Sequence, residues 1–364
     1  MNPTYNRNHK LFTKENLSTN DVLLKPKTGI LDTRSKAIID TSYIYSSPMD
    51  TVTDIELTHE FINNKQNAVF CRFLSMEKRQ KALDLFSSNP WFWYSVGSSE
   101  EDFEFLKNYF SKEKALTESV NICVDVAHGD TVYLIDVYKK YASQSWCSNL
   151  MSGTIANEES AVPLVQAGCT HLRIGIGPGS ACSTRIVTGC GVPNLTAVFK
   201  INDILTLCNL REGVTLIADG GIKETGDIVK YLCAGADAVM LGSMLSTLKE
   251  SAGWMPTTLY KIFKYIWYFQ YNKRYYKYYR GQASYEFQIE RRGLVNGVPE
   301  GVQSQKRLYP SIDAKTFLSN CNSAIASAIS YLGTNQITDL NPNNVEFLKI
   351  TQNGFIESKP HILL

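Results

Sequence analysis

Short apolar runs of four to seven residues recur along the chain, each broken off by a glycine, a hydroxyl or a charge. Most are followed by a longer stretch of helical length, so the repeat reads as strand then helix. The runs are Thr41–Ser47, Asn67–Cys71, Trp93–Val96, Asn121–Val124, Asn149–Ser152, His171–Ile174, Val214–Ala218 and Ala238–Leu241. Helix-length segments between them include residues 54–64, 157–167 and 225–234, and Ser98-Ser99-Glu100-Glu101 has the make-up of a helix start. Eight such units predict an α/β protein built as a (β/α)8 TIM barrel, with all 364 residues in one catalytic domain.

The ends of the runs carry the polar chemistry while their interiors are apolar. They stop at Ser46-Ser47, Arg72, Gly97, Asp125 (with His128 and Gly129 behind it), Gly153, Gly175, Asp219-Gly220-Gly221 and Gly242-Ser243. In a barrel of parallel strands this is the face where active sites are built. Two segments stand outside the repeat. Residues 254–310 are expected to form a hairpin and flap over the barrel mouth, because the alternating aromatics of Tyr275-Tyr276-Lys277-Tyr278-Tyr279 favour strands. Tyrosines interleaved with lysine and arginine also suit single-stranded nucleic acid, through stacking and phosphate contact. A C-terminal tail, residues 335–364, follows a helix expected over 314–332.

Composition narrows the partners. The length suits one barrel, and 37 Lys+Arg against 35 Asp+Glu give no global case for a nucleic acid or membrane surface. The nine cysteines have neither zinc nor redox spacing. With no apolar leader in residues 1–10 and no run able to span a bilayer, the expectation is a reducing, cytoplasmic setting.

The densest chemistry lies between Gly175 and Arg185, Gly-Ile-Gly-Pro-Gly-Ser-Ala-Cys-Ser-Thr-Arg. Its glycines let backbone approach a ligand, and Cys182 is either a nucleophile or a bystander thiol in a Gly-rich turn. Thr184 lies two residues on, where an extended loop would put both on one side; it can relay a proton or cap a helix. Ser180, Gly220, Gly221, Gly242 and Ser243 are candidates for a phosphate held on backbone N–H groups. Asp219 reads equally as a ribose ligand and as a helix cap. Glu300 is by default a surface carboxylate.

These residues sit in stretches that resemble the inosine monophosphate dehydrogenase and guanosine monophosphate reductase family over nearly the whole chain: residues 20–26, 46–52, 125–129, 175–185, 218–222, 239–244 and 279–281. The resemblance implies a barrel, usually a homotetramer, in which Cys182 attacks C2 of a purine nucleoside monophosphate. Ser180, Gly221, Gly242, Ser243 and Tyr279 would hold the phosphate, with Gly220 beside them and Asp219 on the ribose. Ser47 and Met49 would flank the nucleotide, and Gly281, Gln282 and Ala283 would run along its base. Asp125 and Arg173 would meet the nicotinamide end of a dinucleotide. Carbonyls of Gly177, Gly179 and Cys182 would hold a potassium ion, completed by Glu357-Ser358 from a neighbouring subunit.

The family's dehydrogenases pass hydride from IMP to NAD and use an Arg-Tyr pair on a long flap to hydrolyse the adduct. Its reductases expel ammonia from GMP with NADPH, using the threonine and a glutamate. Here the stretch from Arg280 to Glu300 is short and has no Arg-Tyr pair, and no regulatory cystathionine-synthase-like (CBS) insertion follows Arg72. Other stretches, Ser47-Pro48-Met49, Gly191-Val192-Pro193 and Pro299-Glu300-Gly301-Val302, look dehydrogenase-like. The expectation is NADPH-dependent reduction of GMP to IMP and ammonia, carried by Cys182, Thr184 and Glu300. The alternatives are an IMP dehydrogenase, with Arg291 or Arg292 activating water, and a nucleotide or single-stranded nucleic acid binding protein on the same barrel.

Overall fold

A computed structural model describes residues 15–111, 113–253, 275–293, 295, 297–309 and 312–360. After β1 (Val22–Leu24) come eight parallel strands: β2 (Ile44–Ser46), β3 (Asn67–Phe70), β4 (Phe92–Val96), β5 (Val120–Val124), β6 (Cys147–Ile155), β7 (His171–Ile174), β8 (Thr215–Asp219) and β9 (Ala238–Leu241). Each pairs with the next, and β9 pairs back onto β2 with Ser46 opposite Leu241, closing the barrel that the repeat predicts. Bounds shift by a few residues; the largest change is β6, which runs on to Ile155, well past Ser152.

Period-two alternation splits the strand residues into two cores. Tyr45, Val69, Trp93, Cys123, Met151, Ile217, Ala238 and Met240 form a cluster of their own, the barrel interior. Their neighbours Ile44, Ala68, Phe70, Phe92, Tyr94, Ile122, Leu150, Leu172, Leu216 and Val239 belong to the outer core with the helices. The outer layer is supplied by apolar helix faces such as Leu57 and Phe61, Leu134, Tyr138 and Tyr141, and Ile228 and Leu232. Several of these helices begin where a side chain accepts from a first-turn N–H: Asp54, Ser75, Ser99 and Thr131. Among the described residues no helix is long and apolar enough to cross a membrane.

In the segment after β9 the expected aromatic hairpin is present. The aromatic strand β10 (Tyr275–Tyr279) pairs antiparallel with β11 (Gln305–Tyr309), Tyr279 opposite Gln305, so the hairpin encloses residues 280–304. Residues 254–274 lie outside the described residues. The basic residues of β10 and its end are engaged internally. Lys277 is buried and its ammonium donates to the carbonyls of Leu248, Lys249 and Ser251 at 2.8, 2.8 and 2.6 Å; burial pushes its pKa down to about 8. Arg280 is buried against Asp50 at 2.7 Å and Glu290 at 2.6 Å. Neither has the solvated placement that contact with nucleic-acid phosphates requires.

Helix Ala314–Tyr331 packs against the barrel helices, with Tyr43 donating to Asn322 Oδ1 at 2.6 Å. The tail then returns as β12 (Phe347–Lys349), antiparallel to β1, and a short helix at Gln352–Glu357.

Candidate active site

At the C-terminal end of the strands a cavity of about 340 Å³ opens over the barrel axis. Ser47, Met49, Asp125, Arg173, Gly177, Gly179, Cys182, Thr184, Asp219, Gly220, Tyr279, Gly281, Gln282, Ala283 and Glu300 all line it. A contiguous recess of about 60 Å³ adds Ser180, Gly221, Gly242 and Ser243 and shares Ser47, Met49, Asp219 and Tyr279. These residues are therefore brought to one place, whereas His128, Arg291, Glu357 and Ser358 line neither cavity.

The cysteine loop follows β7. Cys182 is half-buried, and its thiol donates to Thr184 Oγ1 at 3.1 Å. Thr184 opens the helix Thr184–Thr188, so it occupies the helix-start position as well as facing the thiol. Glu300 arrives through backbone lacing among three segments. Ser183 N–H donates to the Glu300 carbonyl (2.8 Å), Val302 N–H to Ala181 (2.9 Å), Gly281 N–H to Val302 (3.1 Å) and Glu300 N–H to Ala283 (3.1 Å). The packing is too close for side chains: a Cβ at Gly281 would meet the Ala181 carbonyl oxygen at 2.4 Å, and one at Gly301 the Ser284 nitrogen at 2.6 Å. The backbone of Glu300, by default a surface residue, is thus fixed on the wall of the cysteine's cavity.

Below the thiol lies a buried charge cluster. Arg173 donates to Asp219 Oδ2 through Nε (3.1 Å) and Nη2 (2.8 Å), and to Asp125 Oδ1 through Nη1 (2.9 Å). Burial works against its charge, but Asp219 and Asp125 outweigh it and hold the guanidinium pKa well above its usual value. Arg72 stands 3.6 Å from the other Asp125 oxygen. Arg173 is thus the clamp between two carboxylates, and Asp219 keeps Oδ1 clear of it. In the recess, Ser180 Oγ donates to Tyr279 OH at 3.4 Å and Tyr279 OH reaches Met49 Sδ at 3.8 Å. Gly242 leaves the room they need, since a Cβ there would lie 3.2 Å from that sulfur and 3.4 Å from that hydroxyl.

Part of the wall escaped sequence reasoning. Arg72 stacks its guanidinium 3.9 Å over the Phe73 ring, and Phe73 meets Phe287 edge-on at 4.8 Å. Phe287 belongs to helix Tyr285–Arg292, so the flap rests on the strand-end residues of β3. The signal available was only that Arg72 ends a strand on the polar face. His/Cys/Asp/Glu groupings able to hold a metal are absent among the described residues.

A family model described as the IMP dehydrogenase / GMP reductase domain matches residues 16–361. The chain belongs to that family. Relatives named inosine-5'-monophosphate dehydrogenase include that of Borreliella burgdorferi, 35% identical over 250 residues, 66% of this chain and 57% of that protein. That of Thermoplasma acidophilum is 38% identical over 246 residues, covering 66% and 46%. That of Methanocaldococcus jannaschii is 34% identical over 275 residues, covering 70% and 51%. The chain spans about half the length of the curated relatives it matches.

Proposed function

We propose that the chain is an oxidoreductase of purine nucleoside monophosphates, with Cys182 adding to C2 of the ring. The observation that carries this reading is the thiol at 3.1 Å from Thr184 Oγ1 in a cavity that Glu300 also lines, beside a glycine-walled recess of phosphate size. The direction better supported is oxidation of IMP by NAD, because the relatives reported above carry the dehydrogenase name. This shifts the weight away from the GMP reductase expected from the short flap.

In that reaction the thiol loses its proton and its sulfur bonds to C2, while the C2 hydrogen leaves as hydride to the nicotinamide ring of NAD. Water then attacks C2 and the C2–S bond breaks, giving the oxidised nucleotide and free thiolate. Thr184 and Glu300 are the groups positioned to move the protons at sulfur and at the attacking water. Asp219 Oδ1 would accept from the ribose, and Asp125, held by Arg173, would meet the dinucleotide. Gly177, with φ +75°, and Gly179, whose carbonyl accepts the Cys182 N–H at 3.0 Å, make a tight turn whose carbonyl oxygens, with that of Cys182, suit a monovalent cation such as potassium. Glu357 is exposed on the tail and open to a neighbouring copy, in keeping with a homotetramer. Tyr279, Gly281, Gln282, Ala283, Glu300 and Gly301 of the hairpin make one side of this mouth.

The reductase reading keeps one specific support: residues 281–300 contain no Arg-Tyr pair, and Arg291 is exposed on the flap helix. The test is turnover by the purified chain with IMP and NAD, and separately with GMP and NADPH. NADH formation from the first pair, abolished in Cys182→Ala by at least about a thousandfold, is the expected result. Ammonia from GMP with no NADH from IMP reverses the direction, and turnover undiminished in Cys182→Ala overturns the covalent route.

A further inference from the structure

The segment from Ile176 to Val192 carries both Cys182 and Thr184, and one side chain draws its two ends together. Arg185 Nε donates to the Ile176 carbonyl at 2.9 Å, and Nη2 to the Val192 carbonyl at 2.6 Å. Its stem passes between two glycines. A Cβ on Gly177 would stand 2.7 Å from Arg185 Cγ, and one on Gly191 2.7 Å from Nε. Both have positive φ, +75° and +154°, so a side chain at either is strained as well as obstructed.

Arg185 is half-buried, and burial pulls its pKa below the usual guanidinium value. The groups acting on its charge are Tyr231 and Cys182, and its guanidinium donates to the neutral carbonyls of Ile176 and Val192. Holding a cation this way carries a desolvation cost, and what it supplies in return is reach: a planar fork can bridge two acceptors at opposite ends of a loop. Arg185 lines neither the cavity nor the recess; its charge reaches Cys182, and its hydrogen bonds act on the loop. The loop is thereby fastened twice, at its tip by the Ala181 and Ser183 bonds to the flap and at its base by this fork.

We propose that Arg185 is the positioning residue for Cys182: by closing the base of the 176–192 loop it sets where the thiol and the Thr184 hydroxyl stand relative to Glu300. The inference rests on the reading of Cys182 as the nucleophile. A loop fastened only at its tip can rock about its base, and displacement of about 1 Å at reacting atoms costs up to about a hundredfold in rate.

The experiment compares the full chain with Arg185→Ala, Arg185→Lys and Gly191→Ala, following steady-state turnover and hydrogen exchange. Arg185→Ala is expected to lower kcat about tenfold or more with the nucleotide KM changed less than about threefold. Exchange should quicken within 176–192 and not in the barrel strands. Added guanidinium ion should restore part of kcat and slow the loop's exchange in Arg185→Ala alone, and Arg185→Lys, a single point donor, should fall between. Gly191→Ala, which pushes the fork aside with Arg185 present, should lower kcat in the same way. Wild-type kcat and exchange in Arg185→Ala, a loss confined to KM, or faster exchange throughout the barrel would each overturn the proposal. If the unaltered chain turns over neither nucleotide, the assigned activity fails, and the exchange and guanidinium measurements still decide what Arg185 does to the loop.

Discussion

The cavity at the N-terminal end of the barrel strands measures about 660 Å³, against about 340 Å³ at the C-terminal end. In the larger one the main cation is fully engaged. Arg211 donates to Asn202 Oδ1 (2.9 Å), to the carbonyls of Val214 (2.5 Å) and Gly235 (3.1 Å), and to both oxygens of Asp237 (2.8 Å). Asp237 also accepts the Leu216 N–H at 2.7 Å. The smaller cavity gathers the Cys182 thiol, the Thr184 hydroxyl and Glu300 on its wall, with glycines holding the backbone close. Volume therefore does not separate the two; what separates them is the thiol and hydroxyl that converge on the smaller one.

The strongest way to break the contrast is to remove the clamp under the site. Arg173→Leu leaves Asp125 and Asp219 buried without their cation, and a loss of about 3–5 kcal/mol is expected by urea unfolding. A loss below about 1 kcal/mol would falsify the view that the cluster is a buried ionic unit.

A second measurement concerns the barrel interior between the two cavities. His171 meets Trp93 edge-on at 4.5 Å and Tyr45 at 6.2 Å, and burial pushes its pKa down to about 3. The ring is neutral when folded and gains a proton more readily when unfolded. Its contribution is therefore complete above the unfolded pKa of about 6.5 and is lost as pH falls toward the folded value. Between pH 6.5 and pH 5 the loss should be about 2 kcal/mol, at about 1.4 kcal/mol per pH unit. His171→Gln should flatten that part of the stability profile, and the same slope in both proteins would count against it.

The smallest effect is expected at the N-terminal cavity. Arg211→Ala should cost about 1 kcal/mol through its lost hydrogen bonds and leave the nucleotide KM as it was. A raised KM would mean that the two ends are coupled.

Much of this was legible beforehand because a barrel repeats itself. Each strand is a short apolar run that halts at a glycine or polar residue, and eight halts on one face locate the site before any motif is invoked. What escaped had no local signature. The pairing of Val22–Leu24 with Phe347–Lys349 joins three-residue strands from opposite ends of the chain. The partner of the aromatic strand, Gln305–Tyr309, is mostly polar, so its pattern does not read as a strand beside so aromatic a neighbour. The family resemblance alone puts Arg173 toward the nicotinamide; nothing in its own strand shows that Asp125 and Asp219 clamp it. Glu300 was ambiguous for the same reason, since its bonds to the cysteine loop are long-range.

Those bonds have a consequence for how the protein comes into being. The thiol emerges from the ribosome with β7, the sixth barrel strand, but Glu300 and the backbone that fastens its loop are synthesised only after the eighth. A chain cut or stalled before Val302 can complete its barrel strands and still present Cys182 with nothing opposite it. A fastened cysteine loop therefore reports that synthesis has passed Val302, not merely that the barrel has formed.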